Sequence, residues 1–225
     1  GGVVDSSGYG RHGRLRGAAA LSDAGRSGSA LALNGVDAYV ELPDGVLDGV
    51  KEVTIASWVN LTRVDAWSRI FDVGGSAGGF LYLTPSTHDG LLRYSAFTAF
   101  GNEAVATAPA LTPQVWKHVA ITSKGRDYRV YVDGVEAGNA LTLPVAPADL
   151  VHSIQGWIGR SRFPDPFLAG RVDDFRIYDR VLTQQELSSL ARPQRDYAHY
   201  RFDEARGSAV SDASDLALHG TVRGD

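Results

Sequence analysis

The sequence predicts an all-β protein, a two-sheet antiparallel β-sandwich closed by one short C-terminal helix, and three observations carry that prediction. Short strand-like runs recur along the chain with turn residues between them. Asp133-Gly134 separates two of these runs and signals a type I′ hairpin, because both central positions of that turn need φ > 0. Only residues 183–191 read as helix.

The expected strands fall at 31–33, 38–42, 53–61, 68–73, 80–84, 91–97, 116–123, 128–132, 156–159 and 169–178. The first two flank Asn34-Gly35, a turn pair. The third runs Val53, Ile55, Trp58, Val59 and Leu61, and the seventh Trp116, Val119 and Ile121, so Trp58 and Trp116 are expected in the core. Runs 68–73, 80–84 and 91–97 are bounded by glycine, serine and proline. Tyr128 through Val132 leads into the Asp133-Gly134 turn. Val172 to Tyr178 is β-branched, aromatic and polar by turns, the pattern of a half-buried strand, and it holds an Asp173-Asp174 pair that needs partners if buried. Thr183 with Glu186 has the spacing of a capping box, and Leu187, Leu190 and Ala191 give the following helix one apolar face.

Bulk composition narrows the function classes. At 225 residues the chain fits one large β domain with a fragment of another. A hydrophobic content of 44% with 21% charged residues excludes a disordered chain. A net charge of −4 argues against a nucleic-acid partner. The absence of cysteine removes disulfides, thiol nucleophiles and thiolate metal sites. No apolar run approaches the ~20 residues of a membrane span. The chain begins Gly1-Gly2 and has neither methionine nor a signal peptide, so it is expected to be an internal piece of a longer protein.

The chain also repeats itself. At a constant offset of 207, Val3, Asp5, Ser7, His12, Gly13, Arg16 and Gly17 return as Val210, Asp212, Ser214, His219, Gly220, Arg223 and Gly224. These are seven identities in 17 ungapped positions, at a spacing close to one sandwich domain. Tyr197 to Glu204 precede the second copy with aromatic alternation, and nothing comparable precedes Gly1. The expected organisation is a sandwich lacking its usual first strand over 1–191, a linker at 192–196 with Pro193 stopping the helix, and the opening of a second copy over 197–225. Two readings stay open: residues 197–204 fill the vacant first-strand position of the same sandwich, since a missing strand leaves an open edge, or they belong to a separate copy.

Several phrases, taken in order, resemble one family. They are Asp5 to Gly13, Ala30 to Leu42, Thr54 to Val59, Trp116 to Thr122, Tyr128 to Gly134, Ile158 to Ser161 and Gly170 to Leu187. Together they look like the motifs of LamG-like (laminin G-like, concanavalin A-like) jelly-roll domains, and the resemblance covers roughly residues 3–191. The resemblance implies a two-sheet jelly roll, frequently calcium-stabilised. It also implies a module of a secreted multidomain protein of the glycoside hydrolase type, in which many such modules are assumed to bind glycans. It transfers no glycan site.

Candidate site residues follow. Calcium prefers six to eight oxygens. Asp173 could supply a carboxylate, Asn34 an amide, Gly35 a carbonyl, and Asp203 a further carboxylate if its strand docks on this domain. The alternative is that Asp173 and Asp174 pair with Arg171 or Arg176 and that Asn34-Gly35 is simply a turn. A carbohydrate site needs aromatic faces beside polar groups, and Trp67 and Phe163 are the better surface candidates, with Arg160, Arg162 and Asp165 able to supply hydrogen bonds; the alternative is that these residues simply pack within their loops. His118, within its strand, is expected to make a satisfied structural hydrogen bond. No spaced carboxylate pair of a glycosidase, no Gly-x-Ser-x-Gly elbow and no His-Glu-x-x-His helix occurs, so the module is expected to be non-catalytic. It is expected to bind carbohydrate or to position neighbouring domains of its own chain. The alternative is a purely structural or protein-interaction spacer.

Overall fold

A computed structural model describes residues 1–75, 79–98, 101–125, 127–140 and 155–192, together with the short pairs 209–210 and 220–221. The chain divides into two units, Gly1–Arg192 and Pro193–Asp225.

The first unit is an antiparallel β-sandwich. Among the described residues one sheet has nine strands: β1 (Gly2–Val3), β2 (Gly13–Arg16), β5 (Tyr39–Leu42), β15 (Gln155–Ile158), β7 (Phe71–Gly75), β8 (Gly79–Thr84), β9 (Leu91–Thr98), β10 (Glu103–Pro109) and β14 (Asn139–Ala140), in that spatial order. The other has seven: β13 (Val135–Glu136), β12 (Asp127–Val132), β11 (Lys117–Lys124), β6 (Glu52–Leu61), β16 (Ala169–Tyr178), β4 (Ala30–Asn34) and β3 (Ala20–Ser22). The ten expected strands are present with edges that move by a few residues, the 68–73 run becoming a strand only from Phe71, whereas β2, β3 and β10 were not among them.

Alternation along each strand decides which side chains meet between the sheets. Phe71 and Val73, Leu81 and Leu83, Leu92, Tyr94 and Ala96, and Ala104 and Ala106 face inward from the nine-stranded sheet. They meet Val53, Ile55, Val59, Leu61, Val119, Ile121 and Val172 from the other. The seven-stranded sheet buries part of its outer face as well. There Ala56, Ala120 and Tyr131 pack against Leu182 and Leu187 of the helix α1 (Gln184–Leu190) and its approach. Thr183 caps that helix, accepting from the Glu186 N–H while the Glu186 carboxylate accepts from the Thr183 N–H at 2.8 Å. The Asp133-Gly134 turn has φ of 52° and 77°, as a type I′ hairpin requires, and it sits against the helix, where the Gly134 carbonyl accepts from Gln184.

Of the two tryptophans expected in the core, Trp58 is buried and Trp116 is not. Trp58 is buried, but on the outer face of its sheet, beneath the Arg26 guanidinium at 4.8 Å and against His118, because its neighbours Ser57 and Val59 fix the alternation. Trp116 is only half-buried and lies just ahead of β11.

The second unit contributes one described pairing, β17 (Ala209–Val210) with β18 (Gly220–Thr221), in which Ala209 faces Thr221 and Val210 faces Gly220. In the first unit Gly2 faces Arg14 and Val3 faces Gly13. At the 207-residue offset the two registers coincide. Residues 197–204, with Asp203, lie outside the described residues, so neither reading of their strand is decided.

Candidate functional site

The nine-stranded sheet carries an aromatic and charged outer face over β7 to β10. Register builds it: Asp72 faces Tyr82, Tyr82 faces Ser95, Phe80 faces Phe97, and Phe97 faces Glu103. Phe80 and Phe97 stack at 4.9 Å with nearly parallel rings. Two loops rise beside this face. The one before β7 brings Trp67, and the one between β15 and β16 brings Arg162, Phe163 and Asp165. Between them lies an open cavity of about 380 Å³ lined by Trp67, Arg69, Tyr82, Arg93, Phe97, Glu103, Phe163 and Asp165.

The polar groups here are held by one another. Asp72 is fully buried, and its carboxylate accepts from the Arg162 Nε at 2.8 Å and the Arg162 N–H at 3.2 Å. Arg69, 2% exposed, lies over the Tyr82 ring at 4.0 Å, donates to the Trp67 carbonyl at 2.6 Å and pairs with Asp165 at 3.1 Å. Burial pulls the Arg69 pKa down, opposed by Tyr82 and the two carboxylates; burial pushes Asp72 up, opposed by Arg162. Arg93 donates to Glu103, whose carboxylate also accepts from the Ser95 hydroxyl at 2.8 Å. Asp165 accepts from the Ser161 hydroxyl at 2.7 Å, and that hydroxyl accepts the Phe163 N–H at 3.1 Å, so the loop under Phe163 is fixed.

The two rim aromatics are exposed in different ways. Phe163 meets Phe80 edge-to-face at 5.7 Å and remains 50% exposed. Trp67 has φ of 66°, a left-handed conformation that costs a bulky side chain ~1–3 kcal/mol. Its N–H donates to the Ser86 carbonyl at 2.8 Å, and its ring is flanked by His88, Arg69 and Arg93.

The structure therefore brings Trp67, Phe163 and Asp165 into one cavity, with Arg162 beside it, although nearly a hundred residues separate the two segments. Arg160 points elsewhere, donating to the Tyr39 hydroxyl at 3.0 Å and lying over the Tyr39 and Trp157 rings. Arg69, Tyr82, Arg93, Phe97 and Glu103 were missed as site residues. Alternation within 80–84 and 91–97 was the available signal, since Tyr82, Arg93 and Phe97 share a face opposite Leu81, Leu83 and Leu92.

Among the described residues, the proposed calcium ligands Asp173, Asn34 and Gly35 do not converge, and Asp203 lies outside those residues. Ala169 faces Asn34 and Val172 faces Leu31, so Asp173 and Asn34 sit at opposite ends of the β4–β16 pair, ~13 Å apart at ~3.3 Å per residue. The Asp173 carboxylate accepts the N–H groups of Arg26 and Ser27 at 2.8 and 3.0 Å. Asn34 Oδ1 accepts from Val36, Asp37 and Ala38, closing a turn, and the Gly35 carbonyl accepts from Arg63 at 3.1 Å. Asp174 pairs with Arg176 at 2.7 Å across a bulge. These oxygens serve N–H donors, which does not fit a shared ion, and no group of three or more acidic or histidine side chains among the described residues is arranged to hold one.

His118 is also corrected. It is 2% exposed, its ring meets Trp58 edge-on at 5.4 Å, and its Nδ1 has no hydrogen-bond partner. Burial lowers its pKa to about 4, against the opposing pull of Asp133 and Asp174, so the ring is neutral.

The profile of the concanavalin A-like lectin/glucanases superfamily, in its laminin G form, matches residues 34–188. The chain belongs to this superfamily. Among solved structures with the same fold is domain 4 of AbnA, a GH43 extracellular arabinanase from Geobacillus stearothermophilus, determined with arabinotriose. It is 23% identical with a TM-score of 0.73, and the match covers 84% of this chain and 93% of that one. The binding domain of Paraclostridial Mosquitocidal Protein 1 is 17% identical, with a TM-score of 0.64 and coverage of 88% and 50%. The botulinum neurotoxin serotype G binding domain is 14% identical, with a TM-score of 0.63 and coverage of 84% and 47%. This superfamily member thus spans about half of each toxin chain, and the likenesses at these identities establish the fold.

Proposed function

We propose that this domain is a non-catalytic carbohydrate-binding module of a secreted, multidomain glycoside hydrolase-type protein. The observation that supports the reading is the cavity between Trp67 and Phe163. It places two rim aromatics around fixed arginine and carboxylate groups, which is the combination that recognises sugar rings and their hydroxyls. Glu103 and Asp165 are each tied to an arginine and a serine, which suits hydroxyl recognition better than proton transfer. The arabinotriose complex of a domain with this fold adds support. The coincident register of β1–β2 and β17–β18 supports reading 197–225 as the opening of a second copy, which makes neighbouring domains of the same chain natural partners.

The test is a glycan array with and without chelator, followed by calorimetric titration of each hit. Trp67→Ala and Phe163→Ala are expected to weaken binding about tenfold or more while the thermal midpoint stays within a few degrees. Hits that retain full affinity in both variants place binding elsewhere. No hit under either condition defeats the reading in favour of a spacer.

A further inference from the structure

Resting on that reading, we infer that the cavity takes an uncharged saccharide segment and discriminates against acidic sugars. Three arginines and three carboxylates make up the charged groups in and under it: Arg69, Arg93 and Arg162, with Asp72, Glu103 and Asp165. Each arginine is already engaged. Arg162 spends its guanidinium on Asp72 and the Gly74 carbonyl, Arg69 on Asp165 and the Trp67 carbonyl, and Arg93 on Glu103 and the Ser95 hydroxyl at 2.9 Å.

A uronate or sialate carboxylate is recognised best by an arginine whose fork is free to donate twice. Here each fork already holds a carboxylate. An incoming anion would meet Glu103 and Asp165 at the rim and would lose its water without a counter-charge of its own. A hydroxyl has the opposite requirement. It donates to one carboxylate lone pair and accepts one remaining guanidinium N–H, and a pinned arginine–carboxylate pair offers both at fixed positions. The buried Asp72 completes the balance, since without it Arg162 and Arg69 would leave the cavity positive.

Matched pairs differing in charge test this on the 225-residue protein: galacto-oligosaccharides against oligogalacturonates of equal length, lactose against sialyllactose, and arabino-oligosaccharides as a further neutral series. The neutral member is expected to bind about tenfold or more tightly than its acidic counterpart. Its Kd is expected to change by less than about twofold between about 50 and about 500 mM salt. Equal or tighter binding of the acidic members overturns the inference while leaving the carbohydrate reading intact; no binding to any sugar defeats that reading itself.

Two charge variants separate balance from shape. Glu103→Gln and Asp165→Asn each add one unit of positive charge, and either is expected to shift the acidic-to-neutral affinity ratio several-fold toward the acidic sugar. An unchanged ratio in a variant that still binds overturns the charge argument. Loss of neutral binding in both, with thermal midpoints retained, supports the proposal by assigning the carboxylates as hydroxyl acceptors.

Discussion

Lowering the pH from 7 to about 4.5 should destabilise this domain through one side chain, His118. The ring is almost wholly buried against Trp58, with Asp133, Asp174 and Arg176 the charged groups around it. In the unfolded chain its pKa returns to 6.5, whereas burial holds it at about 4 when folded. Between those values the unfolded state binds a proton that the folded state refuses, so stability falls as the pH drops from about 6.5 and levels off below about 4. A gap of that size corresponds to about 3 kcal/mol when fully developed. Urea denaturation of wild type and His118→Phe at pH 7 and 4.5 isolates the effect, because the other groups contribute to both proteins. The wild type is expected to lose about 2 to 3 kcal/mol more than the variant across this range. Parallel losses, or a His118 ring that titrates near 6.5 by NMR, would refute the argument.

Asp72→Ala leaves the Arg162 and Arg69 guanidiniums without their buried partner and is expected to cost about 3–5 kcal/mol in chemical denaturation, with Asp72→Asn costing clearly less. Asp173→Ala deprives the Arg26 and Ser27 N–H groups of their acceptor and should cost about 1–3 kcal/mol. The wild-type thermal midpoint should be the same with EDTA as with added calcium, and a large calcium-dependent rise would contradict the reading of Asp173 as a loop anchor. Thr183→Ala removes the helix cap and is expected to lower stability by about 1 kcal/mol, read as a shift in denaturation midpoint at constant slope.

The repeat illustrates how sequence identity can mark architecture. The Asp5 carboxylate accepts the Ser7 N–H at 2.9 Å, the Ser7 hydroxyl at 2.8 Å and the Arg11 N–H at 2.8 Å, which holds its pKa below the usual range. His12 Nδ1 accepts the Asp5 N–H at 3.0 Å. The residues that recur at Asp212, Ser214 and His219 are those that close this loop, so their recurrence needs no catalytic explanation.

Much of the sandwich was legible in the sequence because strands, tight turns and capping boxes are local. The apolar run 53–61, the Asp133-Gly134 pair and the Thr183–Glu186 spacing each depend on a few consecutive residues, and they appear as a strand, a turn and a helix cap. Trp67, Phe163 and Asp165 were also legible as residue types suited to sugar. What they form was not, because only the pairing of β8 with β7 and β9 brings Tyr82, Arg93 and Phe97 under two loops nearly a hundred residues apart. Register likewise separated Asp173 from Asn34, which no local pattern could show. The sequence by itself determined the strands, the turns and the helix cap. The tertiary structure decided which charges neutralise one another and which aromatics share a cavity, because those depend on distances across strands rather than along the chain.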